Sequence, residues 1–258
     1  MTEETQKKKR IFLRVAYDGT DFHGWQVQPN ARSVEGELNK AIYEMTGEDI
    51  AVIGASRTDA GVHGMGNVAV FDTTSPIPAE KFKYALNTKL PEDVSVIESF
   101  EVDSDFHPRH CDSIKTYEYR FYVSEVNNPL KRRNAYRIPV RPDIKHMNEA
   151  AKHLVGEHDF KSFCSVHTSA ETTVRKLYSA QVFEDGEDIV IRVSGAGFLY
   201  NMVRIIAGTL LDVGNKKYEP GYIKDILEGR DRTLAGPTLE PQGLTLKSIC
   251  FPDMDDKN

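Results

Sequence analysis

"TVRKLYSAQVFEDGEDIVIRVSG" (173–195) holds two β-rich runs separated only by the break at Asp185-Gly186. Runs joined by so short a turn pair antiparallel, because a parallel return needs a crossover of a dozen or more residues. Working outward, "KTYEYRFYV" (115–123), "VSVIESFEV" (94–102), "NVAVFDT" (67–73), "IAVIGAS" (50–56), "IFLRVAYDG" (11–19) and "LTLKSICF" (244–251) read as further strands. In the run 11–19, Ile11, Leu13, Val15 and Tyr17 alternate.

Helical spacing occurs between them. Ser33 is placed to cap a helix in which Val34, Leu38, Ala41, Ile42 and Met45 recur. "IPAEKFKYALNTKLP" (77–91) predicts a helix ended by Pro91, and "DIKHMNEAAKHLVG" (143–156) one closed by Gly156. "FLYNMVRIIAGTLLDV" (198–213) is strongly apolar and helical, and a short helix is expected at 220–229. Strands and helices alternate without a βαβ rhythm, which favours α+β over a doubly wound parallel sheet. Two halves, 1–125 and 126–258, meet near residues 125–140 with no low-complexity linker. They are expected to share a sheet or a cleft.

With 258 residues, 40% hydrophobic and 28% charged, the chain can bury a substantial core. Its net charge of −6 argues against a uniformly basic nucleic-acid binder, yet a local basic cleft remains open. Lys7, Lys8, Lys9 and Arg10 cluster, as do Lys131, Arg132 and Arg133, and Arg175 with Lys176; a solvated face is the plainer reading of each. The C-terminal end, "FPDMDDKN", is acidic. Cys111, Cys164 and Cys250 form no CxxC, which suits reduced thiols in the cytoplasm and gives no zinc spacing. No apolar run reaches membrane-spanning length, and the N-terminal pattern does not fit a signal peptide.

"GASRTDAGVHGMG" (54–66) gathers four glycines around Arg57, Thr58 and Asp59. Its spacing fits neither a P-loop nor a dinucleotide fingerprint. Asp59 is either a turn former between two strands or a functional carboxylate on a rigid scaffold. Arg204 raises the complementary question, since it sits in the apolar run 198–213. A buried arginine needs a partner, and Asp212 lies too far along the helix. Asp59, Glu118 or carbonyl oxygens are the candidates. Lys115, Tyr117, Tyr119 and Phe121 share one strand face; core packing is the first reading and base stacking the second. The histidines make no ligand pattern, and His23 and His63 have no identifiable partner.

"SRTDAGVHG" (56–64) closely resembles the active-site motif of the tRNA pseudouridine synthase A family. "YDGTDFHGWQVQPNARSVEGEL" (17–38), "FHPRHCDSIKTYEYR" (106–120), "EHDFKSFC" (157–164), "GFLYNMVRIIAGTL" (197–210) and "EPQGLTL" (240–246) resemble that family in order. Two departures stand out: Gly64, where alanine is usual in what reads as a loop, and Thr245, where an aromatic is usual.

The resemblance implies a mixed, mainly antiparallel sheet flanked by helices, in two similar halves around an RNA-binding cleft. It implies isomerisation of uridine to pseudouridine at positions 38, 39 and 40 of the tRNA anticodon stem-loop, by a cytoplasmic homodimer without metal or cofactor. It gives Asp59 the catalytic carboxylate and Arg204 its ion-pair partner. Tyr117 would stack on a flipped uracil, Leu244 would pack on the base, Arg57 would fill the vacated space, and Arg109 would touch phosphate.

Overall fold

The hairpin at 173–195 forms as its sequence predicts. In the computed structural model, which describes residues 8–165 and 171–255, strands β8 (Val174–Asp185) and β9 (Asp188–Gly195) pair antiparallel through a turn with Gly186 at φ 62°. Lys7 of the first basic cluster and the last three residues of the acidic C-terminal end lie outside the described residues. The chain divides into two compact units, Met1–Asp112 and Ser113–Asn258.

The first unit contains β1 (Lys9–Tyr17), α1 (Val34–Thr46), β2 (Ile53–Gly54), β3 (His63–Thr73), α2 (Phe82–Asn87) and β4 (Val94–Val102). β1 lies between β4 and β3, antiparallel to both, and β2 adds to β3. Ile11, Leu13, Val15 and Tyr17 of β1 join Val34, Leu38, Ala41 and Ile42 of α1 in one buried cluster. The Ser33 hydroxyl accepts the Gly36 N–H at 3.2 Å and caps α1 as expected.

Two elements are shorter than the periodicity predicts. Of residues 50–56 only Ile53 and Gly54 pair as a strand, because the Val52 N–H is taken by Asn39 Oδ1 of α1 at 2.9 Å. The run 77–91 splits into a single tight turn, Ala79–Lys81, and α2. α2 stops at Asn87, whose amide accepts from Val96 N at 2.8 Å and donates to Val96 O at 2.9 Å. That side chain serves β4 as a strand partner would.

The second unit contains β5 (Ile114–Val123), β6 (Tyr136–Ile138), α3 (Ile144–Lys152), β7 (Gly156–Asp159), β8, β9, α4 (Met202–Gly214), α5 (Tyr222–Gly229), β10 (Leu244–Cys250) and α6 (Pro252–Asp255). Its sheet runs β10-β5-β9-β8-β7, all antiparallel, with β6 parallel to β5. α3 packs on β8 and on α4. Buried Met147, Ala150, Ile206, Leu210 and Val213 belong to these helices.

Helix α3 ends before Gly156, which instead opens β7 at φ 116°. The apolar run 198–213 begins its helix only at Met202, since Asn201 before it takes a left-handed conformation at φ 60°. Further along α4, Gly208 presses on the segment after α5: a Cβ there would come 2.0 Å from the Pro237 carbonyl oxygen. Within each unit the fold is the mixed, mainly antiparallel α+β arrangement expected from sequence.

Candidate active site

Residues 55–62 link β2 to β3 and carry Arg57 and Asp59. A second segment, residues 18–25, lies along this loop. Trp25 N–H donates to the Thr58 carbonyl at 3.0 Å, and Gly61 N–H donates to the Phe22 carbonyl at 3.2 Å. Gly24 stands at φ 96°, and a Cβ on it would come 2.6 Å from the Thr58 oxygen. Only glycine adopts that angle readily and leaves that space.

Arg32 ties the second segment down. Its guanidinium makes two bonds to Asp93, at 2.6 and 2.9 Å, and lies 4.1 Å over the Phe22 ring. The Arg57 side chain is exposed, Thr58 is buried, and Asp59 is half-buried. A carboxylate so placed keeps access to a ligand while its backbone is fixed.

His63 does have a partner: its Nδ1 accepts the Gly19 N–H at 3.0 Å, with Asp18 Oδ1 at 3.2 Å. Gly64 lies not in a loop but in β3, directly opposite Tyr17. A Cβ at position 64 would sit 2.5 Å from the Tyr17 ring, so alanine is no neutral exchange in this chain. Arg109 is exposed and donates from Nε to the Gly54 carbonyl at 2.7 Å, where the loop begins. Beside it the His107 and His110 rings stack at 3.8 Å. Burial, with His110 and Arg109 nearby, lowers the His107 pKa.

In the second unit Tyr117 and Leu244 belong to neighbouring strands, where Leu244 pairs with Tyr119 and Leu246 with Tyr117. Tyr117 is 7% exposed and meets the Phe198 ring edge-on at 5.0 Å. Tyr119 and Phe121 on the same face are wholly buried, so core packing accounts for these two. The Tyr119 hydroxyl donates to the Glu240 carbonyl at 2.7 Å, and burial pushes its pKa far up. It is therefore a neutral donor at any working pH.

Arg204, in the first turn of α4, is half-buried. Its Nε donates to the Leu239 carbonyl at 2.6 Å and its Nη1 to Asn201 Oδ1 at 2.7 Å. Its charge reaches Tyr119, whose strand partner is Leu244. Glu118 is committed elsewhere. It accepts from Arg192 on β9 at 2.6 and 2.8 Å, with Lys247 at 3.9 Å. Thr245, at the second departure, pairs with this same Glu118.

Among the described residues no group of three or more His, Cys, Asp or Glu side chains could hold a metal ion. Nor is any described helix long and apolar enough to cross a membrane.

The model of the tRNA pseudouridine synthase family matches residues 14–110 and 150–252. The chain belongs to the tRNA pseudouridine synthase family. Members of this family are isomerases. The chain is similar to tRNA pseudouridine synthase A of Caldicellulosiruptor bescii, at 44% identity over 94% of this chain and 100% of that protein. It is 43% identical to tRNA pseudouridine synthase A of Syntrophomonas wolfei, over 95% of this chain and 98% of the relative. The same name attaches to the Brevibacillus brevis protein, at 44% identity over 94% of this chain and 100% of the relative. A chain in the crystal structure of a Cbf5-Nop10-Gar1 complex superposes with a TM-score of only 0.32, at 16% identity, over 78% of this chain and 54% of that one; a likeness this loose supports no inference.

Sequence reasoning passed over two polar residues beneath the family loop, Tyr17 and Asn67, and gave no role to Thr58 within it. All three are buried, Tyr17 at 5%, Asn67 at 0% and Thr58 at 6% exposure. Tyr17 satisfied the apolar alternation of its strand and so read as core. Asn67, a polar residue at the head of an apolar run, was the available signal.

Proposed function

We propose that the protein isomerises uridine to pseudouridine at positions 38, 39 and 40 of the tRNA anticodon stem-loop, acting in the cytoplasm as a homodimer. The observation that carries the reading is Asp59: a half-buried carboxylate on a backbone held from the side by Phe22 and Trp25, within the family motif. In the reaction the N1–C1′ bond breaks, the uracil turns, C5 bonds to C1′, the C5 proton leaves and N1 regains one. All heavy atoms stay in the nucleotide, so no hydride or phosphate donor enters the balance.

A carboxylate serves this chemistry as nucleophile or as base, and both roles need its ionised form. The reading gives Arg204 the part of the cation that favours that form. The substrate base must leave its stack, at a cost of a few kcal/mol. Tyr117 then stacks on the uracil and assists proton removal at C5, while Leu244 packs on the base. Arg57, exposed beside Asp59, braces the space left behind, and Arg109 with the basic clusters meets phosphate. In this reading residues 1–125 supply the carboxylate loop, and residues 126–258 complete the binding cleft.

The test is incubation with unmodified tRNA, without added metal or cofactor, followed by detection of pseudouridine and mapping of its positions. Wild-type protein should modify positions 38–40. Asp59→Asn should form none while keeping its melting temperature and its affinity for tRNA. Full activity in that variant would overturn the role of Asp59.

A further inference from the structure

Under the Asp59 loop lies a buried polar chain that the proposed chemistry does not touch. Asn67 Nδ2 donates to the Ser56 carbonyl at 3.0 Å and to the Tyr17 hydroxyl at 3.3 Å. Tyr17 Oη in turn lies 2.8 Å from Thr58 Oγ1. An amide nitrogen only donates, so Tyr17 Oη accepts from Asn67, while in its bond with Thr58 either hydroxyl can be the donor. Ser56 and Thr58 are therefore held from below, on either side of Arg57 and immediately before Asp59.

The Tyr17 ring is itself fixed, for it occupies the space over Gly64. The same Thr58 is gripped at its carbonyl by Trp25 N–H, at 3.0 Å. The peptide preceding the carboxylate is thus bonded through its side chain and its backbone.

Stability alone does not call for this trio. A neutral buried hydrogen bond contributes only about 1 kcal/mol net, and apolar residues of the same shape would often serve as well. What apolar residues cannot do is fix the direction of a backbone. We infer that Tyr17, Thr58 and Asn67 are positioning residues, a buried relay that sets the orientation in which the loop presents Asp59. The inference rests on the reading of Asp59 as the reacting carboxylate.

The test compares full-length wild type, Tyr17→Phe, Thr58→Val and Thr58→Ser for kcat and KM on a tRNA transcript, for tRNA binding and for melting temperature. Misplacing a catalytic group by about 1 Å costs on the order of a hundredfold, so Tyr17→Phe and Thr58→Val should lose roughly tenfold to a hundredfold in kcat. Their KM and tRNA affinity should stay within about twofold of wild type, because the interaction lost acts on the chemical step. Thr58→Ser, which keeps the hydroxyl, should recover most of the rate.

Wild-type kcat in both Tyr17→Phe and Thr58→Val overturns the inference. So does a Thr58→Ser protein as slow as Thr58→Val, since packing and not the hydroxyl would then matter. If Tyr17→Phe fails to fold, the Thr58 pair decides. Wild-type protein that forms no pseudouridine overturns the reading of the reaction and this inference with it; an active wild type matched by its variants overturns the inference alone.

Discussion

Arg10 and Asp72 face each other across β1 and β3. Arg10 grips both carboxylate oxygens, at 2.7 and 2.9 Å, and Lys8 approaches at 3.4 Å. The hydrogen bond from Arg10 holds the Asp72 carboxyl below its usual range, despite partial burial. A depressed carboxylate pKa stabilises the fold above the unfolded-state value of about 3.9, and that contribution is lost as pH falls through the folded value. Asp72→Asn should therefore melt below wild type at pH 7, with the gap closing as the pH is taken below about 4; thermal scans across pH read this directly, and a gap constant with pH would contradict it. Individual residues were unevenly legible. Asp59 announced itself through a motif, and Arg204 through its misfit in an apolar run. Of the partners described for Arg204, a carbonyl oxygen was foreseen only as a class, because Leu239 lies 35 residues on and backbone oxygens carry no sequence signal, while Asn201 stands three positions before it. Tyr17 was hidden for a related reason, since its hydroxyl sits on a residue that satisfies the apolar alternation, and Asn67 gave only the signal of a polar residue heading an apolar run.

At the scale of elements, local rules sufficed where local forces decide. α1 was legible from its Ser33 cap and its apolar spacing, and β1, β4, β5 and the β8–β9 hairpin from alternation and one turn. Two misreadings arose where a side chain bonded the backbone of another element. Asn39 drew Val52 away from the strand ladder, and Asn87 ended a helix by bonding β4. Neither amide changes the periodicity, so neither boundary was readable. Asn87→Ala would leave both the Val96 N–H and its carbonyl without this partner. The variant should lose about 1–3 kcal/mol in denaturant unfolding, the cost of unsatisfied backbone groups, while α1 variants such as Ser33→Ala should lose about 1 kcal/mol.

For the molecule as a whole, net charge is the governing number. At −6 the chain repels a polyanion at long range, so tRNA must be held by local cationic groups. Affinity should then fall steeply with added salt, roughly linearly on logarithmic axes, as released counterions require; a flat response in a salt titration would contradict a phosphate-lined surface. The division into units, Met1–Asp112 and Ser113–Asn258, has a temporal meaning as well. Every hydrogen bond described around the Asp59 loop comes from residues 17–109. On the ribosome, each of these partners has been translated before the aromatic strand or the arginine helix of the later unit exists. The bonds described around the carboxylate loop thus draw only on partners that the ribosome has already delivered when the later unit begins.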